Sequence, residues 1–238
     1  MSSIKMMTKF VISPRRLLAL SFALASLLLS ACATKVEVDG NFPPALTRQL
    51  PLRTIVVFEP DFASHHFEST DGPEVSIAVG QIQVELFTGL ADSLFQHSST
   101  ATSMPTSTSM PTQPEADLIL RPSVEDVQIS MPNESQLKVF EVWIKYNLQV
   151  YNSAGEPVAD WIMTAYGKTP TRFLKSSTDA LHQAAMVAMR DAGAHFITGF
   201  ARVPEIRQWL QTRQTRVSST NTNTNTNTNT NTSKMAEP

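Results

Sequence analysis

The 238-residue sequence has one cysteine, Cys32, so no disulfide can close within the chain. Its eight glycines form neither a Gly-rich phosphate loop nor a Gly-x-Ser-x-Gly elbow, which removes the commonest sequence marks of nucleotide binding and of serine hydrolysis. Basic residues are scarce after the first 31 positions. Lys5, Lys9, Arg15 and Arg16 take four of the 19, leaving 15 against 21 acidic residues and a net charge of −6. That balance argues against a nucleic-acid binder, which needs basic clusters to displace counterions, and against a polybasic membrane patch. The longest charge-free apolar run, Leu17 to Leu29, has 13 residues, short of the roughly 20 that span a bilayer. With hydrophobic residues at 42% and charged residues at 17%, the chain can still bury a core, and its length suits one compact domain with tails.

The first 31 residues combine positive charge with that short apolar run, the pattern of a secretory signal. The run ends in Leu29-Ser30-Ala31-Cys32, small residues directly before the cysteine. This quartet resembles the lipobox of bacterial lipoprotein precursors. The resemblance covers residues 1–33 and implies cleavage between Ala31 and Cys32, with a diacylglyceryl group on the Cys32 sulfur. Several acyl chains hold durably because each buried CH₂ contributes about 0.8 kcal/mol, whereas one chain alone binds marginally. In that class an aspartate after the cysteine signals inner-membrane retention. Ala33 stands there instead, which implies an outer-membrane anchor facing the periplasm.

After the leader, residues 32–52 carry Pro43, Pro44 and Pro51 without periodicity and are expected to form a lipidated tether. A domain is expected over 53–210. Thr54 to Phe58 reads as a buried strand and Val75 to Val79 as a short one. Ile82, Leu86, Leu90 and Leu94 recur every four residues, the spacing of an amphipathic helix. Residues 98–116, rich in Ser, Thr, Pro and Met, read as a mobile loop. Leu118 to Met131 suggests one bent strand or two, broken near Pro122. Phe140 to Val150 alternates apolar and mostly polar residues, turns at Asn152 to Gly155, and returns over Val158 to Tyr166 as a hairpin. A second helix begins near Ser177, whose hydroxyl can cap it. Its stripe of Leu181, Ala184, Ala188, Ala192 and Phe196 is mostly small, permitting close approach to a sheet. A short segment after Pro204 closes the domain, and 211–238, with its Asn-Thr repeat, is expected to be disordered. The order predicts an α+β fold: an antiparallel meander with two main helices on one face.

Chemically suggestive residues are few. His65 and His66 lie among Glu59, Asp61, Glu68 and Asp71, offering nitrogen and oxygen ligands. Adjacent strand residues point to opposite faces, however, and the alternative is a polar loop. His97, His182 and His195 have no paired partner in sequence. No cofactor and no catalysis are expected. Trp143 interrupts the polar side of the best strand, with Tyr151 on the same side. Either a loop, the edge of the first strand or an aliphatic side chain covers it, or it anchors a protein partner, since exposed aromatics concentrate binding energy.

Across residues 53–200, LPLRTIVVF, GQIQVELFTGLADSLF, ADLILRPSVEDVQI, the hairpin and the final Ala-rich helix resemble small periplasmic lipoproteins. These include auxiliary lipoproteins of ABC-type envelope transporters and lipoprotein activators of peptidoglycan synthases. The resemblance implies a membrane-anchored, non-catalytic accessory subunit of an envelope transport or assembly complex, with an envelope protein as partner. The alternatives are a regulator of peptidoglycan synthesis and a metal-dependent hydrolase using His65 or His66.

Overall fold

The computed structural model describes residues 34–68, 75–105, 116–132, 139–170 and 176–215. Cys32 and the rest of the leader, the whole Asn-Thr repeat and residues 106–115 of the Ser/Thr/Pro/Met segment therefore lie outside the described residues. The elements are β1 (Thr34–Glu37), β2 (Leu50–Val57), α1 (Pro60–Ala63), β3 (His66–Glu68), β4 (Val75–Ala78), α2 (Gly80–Leu94) and β5 (Phe95–Ala101). They continue with β6 (Leu118–Ser130), β7 (Val139–Asn152), β8 (Pro157–Pro170) and α3 (Ser177–Gly199). A 3₁₀ turn over Phe200–Arg202 leads into a last helix, α4, described over 204–215.

The fold is α+β, but the main sheet is mixed and not a pure antiparallel meander. Its order is β5-β2-β6-β7-β8, with β5 and β6 both parallel to β2 and the last three strands antiparallel. The cause is α2. It returns the chain to the end where β2 began, so β5 sets off in the same direction as β2, as parallel neighbours require. A central parallel strand is buried on both faces, and Thr54 to Val57 are all buried. A second, small sheet has the order β1-β4-β3.

Three expected boundaries move, two of them in the first half of the chain. The supposed tether folds: Val36 and Val38 are buried in the main core, and Thr34 to Glu37 pair in register with Val75 to Ala78. Two apolar residues spaced by two, too few to read as periodicity, are enough once β4 supplies a partner. The supposed loop begins with a strand, because Ser98 to Ala101 pair with Thr54 to Val57. A polar Ser/Thr strand suits a sheet edge, where solvent meets one side. Residues 106–115 of that segment lie outside the described residues.

β6 is one strand with an irregularity between Val124 and Asp126. Pro122 is tolerated because β2 pairs only with Leu118 to Leu120, so Pro122 falls where β6 has become an edge. At the β7–β8 turn the Asn152 side chain accepts from the amides of Ala154 and Glu156 at 2.9 and 3.0 Å, and Gly155 takes φ 77°. The α3 cap is Ser176, one residue earlier than expected, accepting from the Asp179 amide at 3.0 Å.

The helices α2 and α3 lie side by side on the inner face of the sheet. Phe87 of α2 meets Tyr146 of β7 and Phe196 of α3 edge-on, at 5.4 and 5.9 Å between ring centres. The small stripe of α3 meets Gly167 of β8, where a Cβ would fall 2.0 Å from the Ala184 carbonyl oxygen. The last helix extends the domain past residue 210. Ile206 is fully buried, and Arg213 donates to Asp117 at 2.7 Å while stacking over Trp209.

Candidate partner-binding face

The outer face of β6, β7 and β8 carries the sequence-predicted aromatics. Near the start of β7, Trp143 lies half-buried against Tyr166 of β8, with ring centres 5.0 Å apart. The two residues are direct cross-strand partners, the arrangement in which aromatic pairs stabilise a sheet. The Tyr166 hydroxyl donates to Glu141 at 2.5 Å, and that bond, with some desolvation, pushes its pKa up to about 12. Tyr166 is thus a neutral donor at any physiological pH. Its backbone amide points off the edge of the sheet and donates to Asp191 of α3 at 3.0 Å. The cover on Trp143 is thus the ring of its cross-strand neighbour, not the loop, first-strand edge or aliphatic side chain expected from sequence, and Trp143 stays only half-buried.

Tyr151 is not part of the same patch. It sits eight residues along β7, roughly 26 Å away at the rise of a strand. There it donates to Gln149 at 3.1 Å and packs on a small second cluster of Ile55, Val57, Ala116 and Ile119. Met104, on the described part of the β5–β6 connection, also packs against that cluster. Between the two aromatic sites the face is polar. Arg121 donates to Glu59 and Gln149 at 2.5 and 3.0 Å, and Lys145 pairs with Glu125 at 2.7 Å. The hydrogen bond that Arg121 donates to Glu59 raises its pKa, and the one that Lys145 donates to Glu125 raises that of Lys145, so both stay charged. Ile162 of β8, 44% exposed, is the one large apolar side chain standing clear on this face among the described residues.

His65 and His66 do not converge on a site. Burial, then the neighbouring His66, lowers the pKa of His65, while the His66 ring is exposed and lies 3.6 Å from Glu68. Among the described residues no three His, Cys, Asp or Glu side chains gather with metal-ligand geometry. His182 holds the chain after β1, its Nε2 2.9 Å from the Asp39 carbonyl oxygen, and His195 lies 3.7 Å from Asp191.

One feature escaped sequence reasoning. The segment after β1 runs along α2, fastened by the Ala45 amide to Ser93 at 3.2 Å and by Gln49 to the Asp92 carbonyl at 3.0 Å. Between them lies an open groove of about 660 Å³, with Phe42 and Leu90 at its floor side and a fully exposed Leu46 at its rim. Reading these residues as a tether hid the groove, since a tether has no second wall.

No family model matches this sequence, and no curated protein matches it. Among solved structures, a Xanthomonas campestris protein of family DUF330 superposes with a TM-score of 0.45 at 13% identity, over 75% of this chain and 96% of its own. A minor lipoprotein from Acinetobacter baumannii gives 0.39 at 10% identity, over 68% and 96%. A putative lipoprotein from Caulobacter crescentus gives 0.31 at 16% identity, over 56% and 83%. Among the described residues no helix is long and apolar enough to cross a membrane.

Proposed function

We propose that this chain is an envelope lipoprotein, held at the periplasmic face of the outer membrane by acyl chains on Cys32, whose domain is a non-catalytic accessory subunit of a transport or assembly complex. The observation that carries the docking part is the outer face of β6–β8. The two long helices pack on the opposite face through Phe87 and Phe196, and the outer face presents the Trp143–Tyr166 pair at one end. An aromatic pair with a buried body and an exposed rim, ringed by charged and polar side chains, matches the make-up of a protein-binding anchor. The lipobox quartet supports the anchoring part.

Two measurements test the reading separately. Metabolic labelling with palmitate should mark the wild-type protein and leave Cys32→Ser unlabelled; equal labelling removes the anchor. A photoreactive residue at Trp143 in intact cells should capture one envelope protein, with less capture from Lys168, also on the outer face but exposed beyond the ring pair. Capture that is uniform along the face, or absent, removes the docking site. Recovery of a peptidoglycan synthase would turn the reading toward a regulator of wall synthesis.

A further inference from the structure

We infer that the domain stands end-on at its membrane, with the start of the small sheet facing the lipid headgroups and the β7–β8 hairpin pointing away. The inference rests on the lipid anchor proposed above. Only Ala33 separates Cys32 from β1, so the acylated residue lies at most about 7 Å from Thr34 by chain geometry. β1 is no tether: Val36 and Val38 are core residues, and its four residues are paired to β4. Whatever holds Cys32 at a bilayer therefore holds the folded domain there too.

The topology says which end that is. β6 starts at Leu118, opposite Asn152 beside the hairpin, and runs away from it. β2 is parallel to β6, with Val56 beside Leu120, so the chain leaves Val57 heading away from the hairpin, and the residues after β1 lie near the opposite pole: His182, which holds Asp39, sits just before Ala184, whose carbonyl faces Gly167 opposite Val142 near the start of β7. The start of α2 lies beside α1, because a Cβ on Gly80 would fall 2.3 Å from the Ala63 carbonyl oxygen. β3 and β4 join these two elements, and β1 pairs with β4. At one end of this small sheet, the first residue of β1 and of β4 and the last residue of β3 come together: Thr34, Val75 and Glu68. After β1 the chain turns along α2 toward the hairpin pole, reaching Leu50 beside Phe95, so Thr34 marks the end turned from that climb.

No described protein element covers this end. Thr34 and Lys35 are exposed, and the Glu68 side chain is 70% exposed. Its described side chains are polar enough to sit in the headgroup layer. β7 has 14 residues, which at about 3.3 Å each set the hairpin tip roughly 45 Å from the opposite end of the sheet. The Trp143–Tyr166 pair then lies in the half of the outer face nearer the membrane, and Tyr151 in the far half.

The single cysteine makes the test direct, because once its sulfur is acylated any introduced cysteine is the only free thiol. Full-length lipoprotein carrying Lys35→Cys, Glu68→Cys or Ser153→Cys would be labelled with a fluorophore and reconstituted into vesicles of neutral phospholipid containing a headgroup-attached quencher. Probes at 35 and 68 should be quenched severalfold more than the probe at 153. A ten-residue Gly-Ser insert between Ala33 and Thr34, with a reach of roughly 33 Å, should erase the difference. Equal quenching at all three positions without the insert, in protein whose mass shows the acyl chains, overturns the orientation. A mass without acyl chains overturns the anchor itself, so the two failures are told apart.

Discussion

Gly167→Ala should be among the most damaging conservative changes in the domain. The new Cβ would lie 2.0 Å from the Ala184 carbonyl oxygen, 2.3 Å from the Ala188 nitrogen and 3.0 Å from the Ala188 Cα. All three are backbone atoms of α3, so no rotamer change relieves the clash. Clearing it means lifting the helix by about 1.5 Å, the gap between 2.0 Å and the roughly 3.5 Å of a comfortable contact. A gap of even 0.5 to 1 Å forfeits about a quarter to a half of each dispersion contact, and Ala184, Ala188 and Ala192 all face the sheet. Overpacking of this kind costs about 1–3 kcal/mol, and the backbone partners put it at the upper end. At about 2–4 °C per kcal/mol for a domain this size, Tm should fall by roughly 6–12 °C in a circular-dichroism melt. Gly89→Ala is the matched control. It lies in α2 with nothing within 4 Å, and should stabilise by about 0.5–1 kcal/mol through helix propensity. A wild-type Tm for Gly167→Ala, or the larger loss at Gly89, would refute the close packing of α3 on β8.

Three further outcomes are expected. Gln83 is fully buried with both amide atoms unpaired, so Gln83→Met should be neutral or raise stability by about 1–2 kcal/mol in urea melts, and a clear loss would mean that the amide has a partner. Asp117 accepts from both the Arg53 amide at 2.8 Å and Arg213 at 2.7 Å, so Asp117→Ala should cost about 1.5–3 kcal/mol, against about 0–1 for Arg213→Ala, whose side chain is partly exposed. Urea midpoints that rank the two the other way would locate the support of α4 elsewhere. The folded state keeps the Tyr166 phenol protonated up to about 12, above its usual value near 10. Its contribution to stability is therefore complete below pH ~10 and lost as pH rises through about 12. Glu141→Gln should bring the Tyr166 step in a tyrosinate absorbance titration down toward 10, and an unmoved step would show that the carboxylate is not the cause.

Local chemistry determined the parts of this protein that could be read residue by residue. The period of four through Ile82, Leu86, Leu90 and Leu94 marks α2, alternation from Phe140 to Val150 marks β7, and Asn152 to Gly155 marks the turn, because each is a property of neighbours in the chain. The small stripe of α3 likewise foretold its close approach to a sheet, although only the fold shows that Gly167 receives it. Tertiary pairing decided the rest. Whether Thr34 to Glu37 is tether or strand depends on β4, some 40 residues on, and Ser98 to Ala101 becomes a strand only because Thr54 to Val57 lies beside it. The parallel register around β2, the separation of Trp143 from Tyr151, and the choice of Tyr166 as Trp143's companion all rest on such long-range contacts. The energy of a strand lies in its partner, and a partner distant in sequence leaves no periodic mark on the segment it will stabilise.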